Sequence, residues 1–341
     1  MMNYRRKVQL LVSINVVLAL AISLGLLFSP ARSSRRVESR TILPDADSVT
    51  RISMEGTERL ELVRSGNNWV MLDAGKPVPL NSAPPAEAMF PSEAALPAET
   101  SLPAESSRVL AFLGVLGGVD RLQTVASGRS SWAGLGLAEG QANRLILYGQ
   151  DGNRIVSLAV GNFDPTGRYS YLRIDPAETV YAGTSSLASY LSGGRRSWLD
   201  LGIWDRSYGT GDVQSLVLRG SLDLPDGSRI VTDYRLTRSG PAWTADRDGL
   251  LLDTQKVEGM LRSILVARSE DYLQPDDYGP PVLGVSLLLG DGSSLNLDIH
   301  KGIEDERYAA VSSRRSRPIS LSSWTIRDAV RPLEALLVPA P

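Results

Sequence analysis

Arg64-Ser65-Gly66-Asn67-Asn68-Trp69 reappears 174 positions later as Arg238-Ser239-Gly240-Pro241-Ala242-Trp243. In the first occurrence the Ser-Gly pair separates Leu60-Glu61-Leu62-Val63 from Trp69-Val70-Met71-Leu72. Upstream, Arg51-Ile52-Ser53-Met54 alternates in the same way. Alternation with a period of two marks half-buried strands, and tight turns between such strands force antiparallel pairing. The repeated hexapeptide therefore points to a small meander that occurs twice.

Further matches carry the duplication along the chain. Leu145-Ile146-Leu147-Tyr148, leading to Asp151-Gly152, corresponds to Val285-Ser286-Leu287-Leu288, leading to Asp291-Gly292, at an offset of 140. Arg168-Tyr169 matches Arg307-Tyr308 at 139. The fall from 174 to 140 gives the first copy about 34 extra residues. A Pro/Ala-rich loop over residues 74–106 accounts for them, with four hexads that open at Pro85, Pro91, Pro97 and Pro103. A proline every six residues removes backbone donors and blocks helix continuation, so this loop is expected to be extended and mobile.

The remaining elements fall in one order in both copies. A helix is expected from about Ser107 to Val125, with Val109, Leu110, Leu113, Leu116 and Val119 on one face. Its counterpart starts after the Asp253-Thr254 cap signal and carries Val257, Met260, Leu261, Ile264 and Leu265. Hairpins follow, Leu145 to Tyr148 with Ile155 to Val160 and Val285 to Leu289 with Leu295 to Ile299, each turning on Asp-Gly. Strands over Tyr169 to Ile174 and Val180-Tyr181 and a short helix from Ser185 to Leu191 close the first copy, and Ser322 to Leu336 is the counterpart of that helix.

Ahead of the body, Val8 to Phe28 is a run without charge, between Arg5-Arg6-Lys7 and Arg32, Arg35 and Arg36. As a helix rising about 1.5 Å per residue it is long enough to cross a hydrocarbon core of about 30 Å. The alternative is a cleaved signal peptide ending at Ser29-Pro30-Ala31. The flanking charges nearly tie, and the simplest insertion route exports the long C-terminal part. The expected class is α+β, an N-terminal transmembrane helix followed by two tandem copies of an antiparallel-sheet-plus-helix module. The boundaries read as a tail over 1–7, the span over 8–28, a linker over 29–47, a first repeat over 48–205 and a second over 206–341.

The span, the strand that ends in Gly-x-x-Trp, the amphipathic helix, the Leu-Tyr-Gly-x-Asp-Gly hairpin, the strand Arg168-Tyr-Ser-Tyr-Leu-Arg173 and Val180-Tyr181 together carry a likeness. The chain resembles an uncharacterised bacterial family of unknown function that accompanies gliding-motility-type ABC transporters. The likeness covers about Ser48 to Leu201 and extends more loosely over the second copy. Where the family has Tyr-Gly-Leu after the long helix, this chain has Trp132-Ala133-Gly134-Leu135-Gly136-Leu137 and Tyr278-Gly279-Pro280. The resemblance implies an accessory role beside a transporter and transfers no catalytic residue.

Composition removes several chemistries. With no cysteine, disulfides, thiolate nucleophiles and Cys-ligated metals are excluded, and a single histidine, His300, leaves at most one imidazole for a triad or a metal. A net charge of -2 gives no basic footprint for nucleic acid. Glu304-Asp305-Glu306 and Asp276-Asp277 lack the spacing of a calcium loop and read as solvated turns. Gly114, Gly117 and Gly118 form no phosphate loop, and Arg195-Arg196 and Arg314, Arg315 and Arg317 read as solvated charge. Trp69 and Trp243 read as core anchors. No catalytic, cofactor or metal residue is assigned and no cofactor is expected.

The expected function is a membrane-anchored extracytoplasmic accessory or binding protein, not an enzyme. Its partners would be the bilayer, through residues 8–28, and a protein, an ABC transporter permease or another envelope protein. Two alternatives are an envelope hydrolase using a carboxylate pair and a cell-wall polysaccharide binder using Tyr169, Tyr171 and Tyr181.

Overall fold

The computed structural model describes residues 37–56, 58–72, 101–184, 186–247, 249–274, 278–304 and 306–339. The expected span over 8–28 and most of the hexad loop lie outside the described residues. Among the described residues no helix is long and apolar enough to cross a membrane.

The first sheet has ten strands: β1 (Val37–Thr41), β2 (Val49–Glu55), β3 (Arg59–Ser65), β4 (Asn68–Leu72), β5 (Ser101–Pro103), β6 (Val119–Ser127), β7 (Asn143–Gly149), β8 (Arg154–Phe163), β9 (Tyr169–Ile174) and β10 (Thr179–Thr184). Two helices accompany it, α1 (Ser106–Gly117) and α2 (Ser186–Leu191). The second sheet has eight: β11 (Val213–Asp223), β12 (Arg229–Ser239), β13 (Ala242–Ala245), β14 (Asp271–Tyr272), β15 (Leu283–Leu289), β16 (Ser294–Glu304), β17 (Arg307–Ser312) and β18 (Ile319–Ser322). Its helices are α3 (Thr254–Val266) and α4 (Ser323–Ala329). Strand order is β1-β6-β10-β9-β8-β7-β2-β3-β4-β5 in the first and β13-β12-β11-β15-β16-β17-β18-β14 in the second. Without β1 and β5 the two orders are the same order read from opposite ends. The strand-pair registers among the described residues are all antiparallel.

This architecture corrects the expected class: the described chain is mostly antiparallel sheet, with short helices. Two long helices of the sequence reading break for identifiable reasons. The first stops at Gly117, ahead of a second glycine, and Val119–Ser127 continues as β6, because consecutive glycines disfavour helix while the β-branched residues beyond them suit a strand. Its buried face is Val109, Phe112, Leu113 and Leu116, whereas Leu110 is exposed. The helix expected over Ser322 to Leu336 ends at Ala329, and after Pro332 only a 3-10 turn over Leu333–Leu336 remains. By contrast α3 begins where expected, with Asp253 accepting from the amides of Gln255 and Lys256.

Registers fix the duplication residue by residue. Arg64 opposes Trp69 and Ser65 opposes Asn68, as Arg238 opposes Trp243 and Ser239 opposes Ala242. Gly66 and Gly240 take φ of 59° and 60°, the left-handed region that the turn requires. On the core-facing row, Leu145, Leu158 and Ile174 correspond to Val285, Leu297 and Ser312. Ile174 and Ser312 are 138 apart, so Tyr169 is equivalent to Arg307 and not to Tyr308 as the sequence match had it. A one-residue shift moves a strand side chain to the opposite face. Tyr308 accordingly is buried and donates to the Asp223 carbonyl (2.8 Å), while Tyr169 is exposed.

By contact density the chain divides into two units, one taking in residues up to Glu61 with Leu110–Ser192, the other Leu62–Val109 with Gly193 onward. Inside the second, two main-chain straps are equivalent. Ala104 bridges Leu199 while the Glu105 amide donates to the Trp198 carbonyl (2.8 Å) and the Asp200 amide to the Pro103 carbonyl (3.0 Å). Leu252 bridges Leu337 while the Asp253 amide donates to Leu336 (2.8 Å) and the Val338 amide to Leu251 (3.0 Å). The Ser101 to Ala104 stretch of the proline-rich segment is thus ordered, with Leu102 fully buried, where the sequence predicted a mobile loop.

Candidate functional site

Among the described residues, no group of three or more His, Asp or Glu could hold a metal ion. Among the described residues an apolar void of about 10 Å³ lies under α3 and α4, lined by Ile203, Ile264, Val285, Leu297 and Ile326 among others. That is room for about one water and it offers no polar partner, so it is a packing gap.

The residues singled out in the sequence resolve into structural and exposed groups. Trp69 and Trp243 are 2% and 4% exposed. The Trp69 amide donates to Ser106 Oγ at the start of α1 (3.0 Å). The Trp243 indole donates to Glu258 Oε1 on α3 (2.9 Å), the same oxygen receives Arg238 Nη2 (2.7 Å), and the Arg238 guanidinium stacks 4.5 Å from the indole centroid. Burial works against the Glu258 charge, but hydrogen bonds from Thr210, Trp243 and Arg238 outweigh it and hold its carboxyl below the usual range.

Three of the grouped arginines, Arg195, Arg196 and Arg315, are clamps and not the solvated charge expected of them. Arg195 reaches Asp271 (3.2 Å) and Arg196 reaches Glu270 (2.5 Å). Arg315 pairs with Asp200 (2.9 Å) and donates to the carbonyls of Gly202 (2.8 Å) and Trp204. His300 Nδ1 lies 2.8 Å from the Gly279 carbonyl, which fixes the proton on that nitrogen. Gly118 donates to the Gly114 carbonyl and closes α1 (3.0 Å). Asp276, Asp277 and Asp305 lie outside the described residues.

One cluster gathers aromatic and cationic groups on a single face, from buried Arg173 through half-buried Tyr171 and Trp132 to exposed Tyr169. Positions 169, 171 and 173 of β9 project to the side opposite the core row, so Tyr169, Tyr171 and Arg173 form a file there. The loop after β6 lays Trp132 on this file: the Arg173 guanidinium lies 4.1 Å from the indole centroid, and Tyr171 and Trp132 both pack on Leu137, Ala159 and Val180. Close approach of the loop to β8 depends on Gly161, where a Cβ would collide with the Leu135 carbonyl.

Below the file, Arg173 pairs with Asp175 (2.5 Å), which also receives the Ser157 hydroxyl (2.6 Å). At the rim the Trp132 indole donates to the Glu178 carbonyl (3.3 Å) and Arg129 pairs with the Glu178 side chain (2.9 Å). Arg129 is 76% exposed in its side chain and Tyr169 is 46% exposed. Tyr181, grouped in the sequence with Tyr169 and Tyr171, opposes Leu172 on the core side and is 8% exposed, so the three make no common platform.

Chemically the cluster can present flat aromatic area and a guanidinium held in place by a buried ion pair. The alternation in Tyr169-Ser170-Tyr171-Leu172-Arg173 could have revealed the file. Trp132 could not be attached to it from the sequence, because a loop of no fixed period carries it there. The corresponding file in the second copy is Arg307, Ala309 and Val311, without an aromatic residue.

No curated protein matches the chain, and no solved structure matches it. Residues 95–281, just over half of the chain, match the model of a domain of unknown function, DUF4340, and the chain belongs to that family.

Proposed function

We propose that the protein is an extracytoplasmic accessory protein at the cell membrane that binds a protein partner, an ABC-type transporter permease or another envelope protein, through the Tyr169, Tyr171, Trp132 and Arg129 ridge. The observation that carries this reading is the ridge itself. Aromatic and arginine side chains are enriched at protein interfaces because they supply large, stiff contact area together with directed hydrogen bonds. Here the supporting groups are already fixed, since Arg173 is held by Asp175 and Trp132 by Arg173 and Glu178. A side chain that is ordered before binding loses less conformational freedom when a partner covers it. The association with a transport system rests on the family resemblance in the sequence.

The test is co-purification at native expression in mild detergent. A permease or another envelope protein should accompany the wild-type chain, and Tyr169→Ala with Arg129→Ala should lower its recovery several-fold at unchanged thermal stability. Recovery of the tagged chain alone would remove the proposal.

A further inference from the structure

The hexad loop ends in a strand, and the residues of that strand recur in the loop. In β5 the pairs are Met71 with Leu102 and Val70 with Pro103. Each position of the docked segment has its own requirement. Leu102 fills a fully buried place. Pro103 turns its carbonyl outward, to the Asp200 amide (3.0 Å), so its nitrogen also faces away from β4 and the missing N–H leaves no ladder bond unmade. Ala104 is buried and donates to the Trp69 carbonyl (3.0 Å), and the Glu105 amide donates to the Trp198 carbonyl (2.8 Å).

Leu102-Pro103-Ala104-Glu105 has an identical forerunner six residues earlier, Leu96-Pro97-Ala98-Glu99. The next repeat back, Phe90-Pro91-Ser92-Glu93, keeps the proline and glutamate but offers a bulkier anchor and a hydroxyl. We infer that the outer edge of β4 is a docking site for Leu-Pro-Ala-Glu segments, and that its second occupant is the chain's own Leu96–Glu99 repeat, in exchange with β5.

The exchange presents the same four residue types to the site. It moves six residues from the loop before the strand to the stretch before α1. Closure entropy depends weakly on loop length, so the first change has little effect. The register with Ser101–Pro103 docked remains the principal one, because Ser106 Oγ then lies beside the Trp69 amide without an intervening bulge. Phe90–Glu93, with its bulkier anchor and its hydroxyl, suits the site less well.

The absence of cysteine makes a direct test possible. Val70 and Pro103 are opposed and half-buried, which suits a cross-strand disulfide. Three double variants of the full chain are oxidised mildly and mapped by mass spectrometry: Val70→Cys with Pro103→Cys, with Pro97→Cys, and with Ala94→Cys as a collision control. The Pro97 pair should close several-fold faster than the Ala94 pair and more slowly than the Pro103 pair. Independently, Leu102→Asp should unfold at a higher temperature than Leu96→Asp combined with Leu102→Asp, with Leu96→Asp alone matching the wild type. Equal rates for the Pro97 and Ala94 pairs, or equal unfolding of the single and double aspartate variants, would overturn the inference.

Discussion

The two sheets share one strand order, yet their outward faces differ. In the first, the loop after β6 covers Ala159 and Val180 and sets Trp132 against Arg173, beside Tyr169 and Tyr171. In the second, the equivalent file is Arg307, Ala309 and Val311. The core-facing rows stay largely apolar in both copies; among the exceptions is Ser312, whose hydroxyl donates to the Ile203 carbonyl (2.9 Å). Packing constrains the core row, because a buried position tolerates little change in volume. The outward row is constrained only where it is covered, as at Arg173 and Ala309. The aromatic ridge is present in one copy alone, so the proposed binding role would belong to that copy.

The largest effects should fall on what the copies share. Trp69→Ala and Trp243→Ala should each cost about 3–5 kcal/mol in denaturant unfolding, the range for truncating a buried large aromatic. A much smaller loss at one of them would break the equivalence that the registers give. Next come the glycines at close approaches. Gly161→Ala should destabilise by about 1–3 kcal/mol and change Trp132 fluorescence, because the new methyl group meets the Leu135 carbonyl. Gly220→Ala should cost at least as much in the second copy, since φ there is +121° and the Val282 carbonyl stands in the way.

A pH scan separates the copies at their equivalent tryptophans. Glu258 has a folded pKa below its ordinary value, so its stabilising contribution is present above the ordinary carboxylate range and is lost as pH falls through the depressed value. Glu258→Gln should flatten the acid limb of the stability curve, and an unchanged limb would show that the Arg238 pairing adds nothing. The smallest effect should come from deleting residues 85–95, which keeps β5 and its forerunner Leu96–Glu99. Stability should stay within about 0.5 kcal/mol, because shortening a surface loop changes closure entropy little. A deletion that reaches Leu102 should be costly, since that side chain is fully buried.

Much of this fold was legible because its turns are chemically marked. Gly66 and Gly240 open their hairpins, and the Asp151-Gly152 and Asp291-Gly292 turns close with the same pattern, the aspartate accepting from the amide two residues on (3.0 and 2.9 Å). Other parts were hidden by ambiguity of period. Val119 and Leu122 fall on a helical face when the apolar pattern of α1 is extended, and only the Gly117-Gly118 pair marks the change to β6. The edge strap β1, which runs beside β6, and its equivalent at Gly202, which bridges Arg268, are too short to show a period at all. The ridge was half legible: Tyr169 and Tyr171 were visible in the strand, while Tyr181 was grouped with them although its parity puts it on the core side. Trp132 joins them through a contact with Arg173, 41 residues along the chain, for which local patterning carries no signal.

The most direct measurement places a photoreactive residue at position 169 in one chain and at position 311, on the corresponding file of the second copy, in another, each expressed at native level and irradiated in cells. The account predicts that position 169 crosslinks a specific envelope protein, that Arg129→Ala lowers the yield several-fold, and that position 311 gives no such product. Equal labelling from both positions, or none from 169, would contradict it.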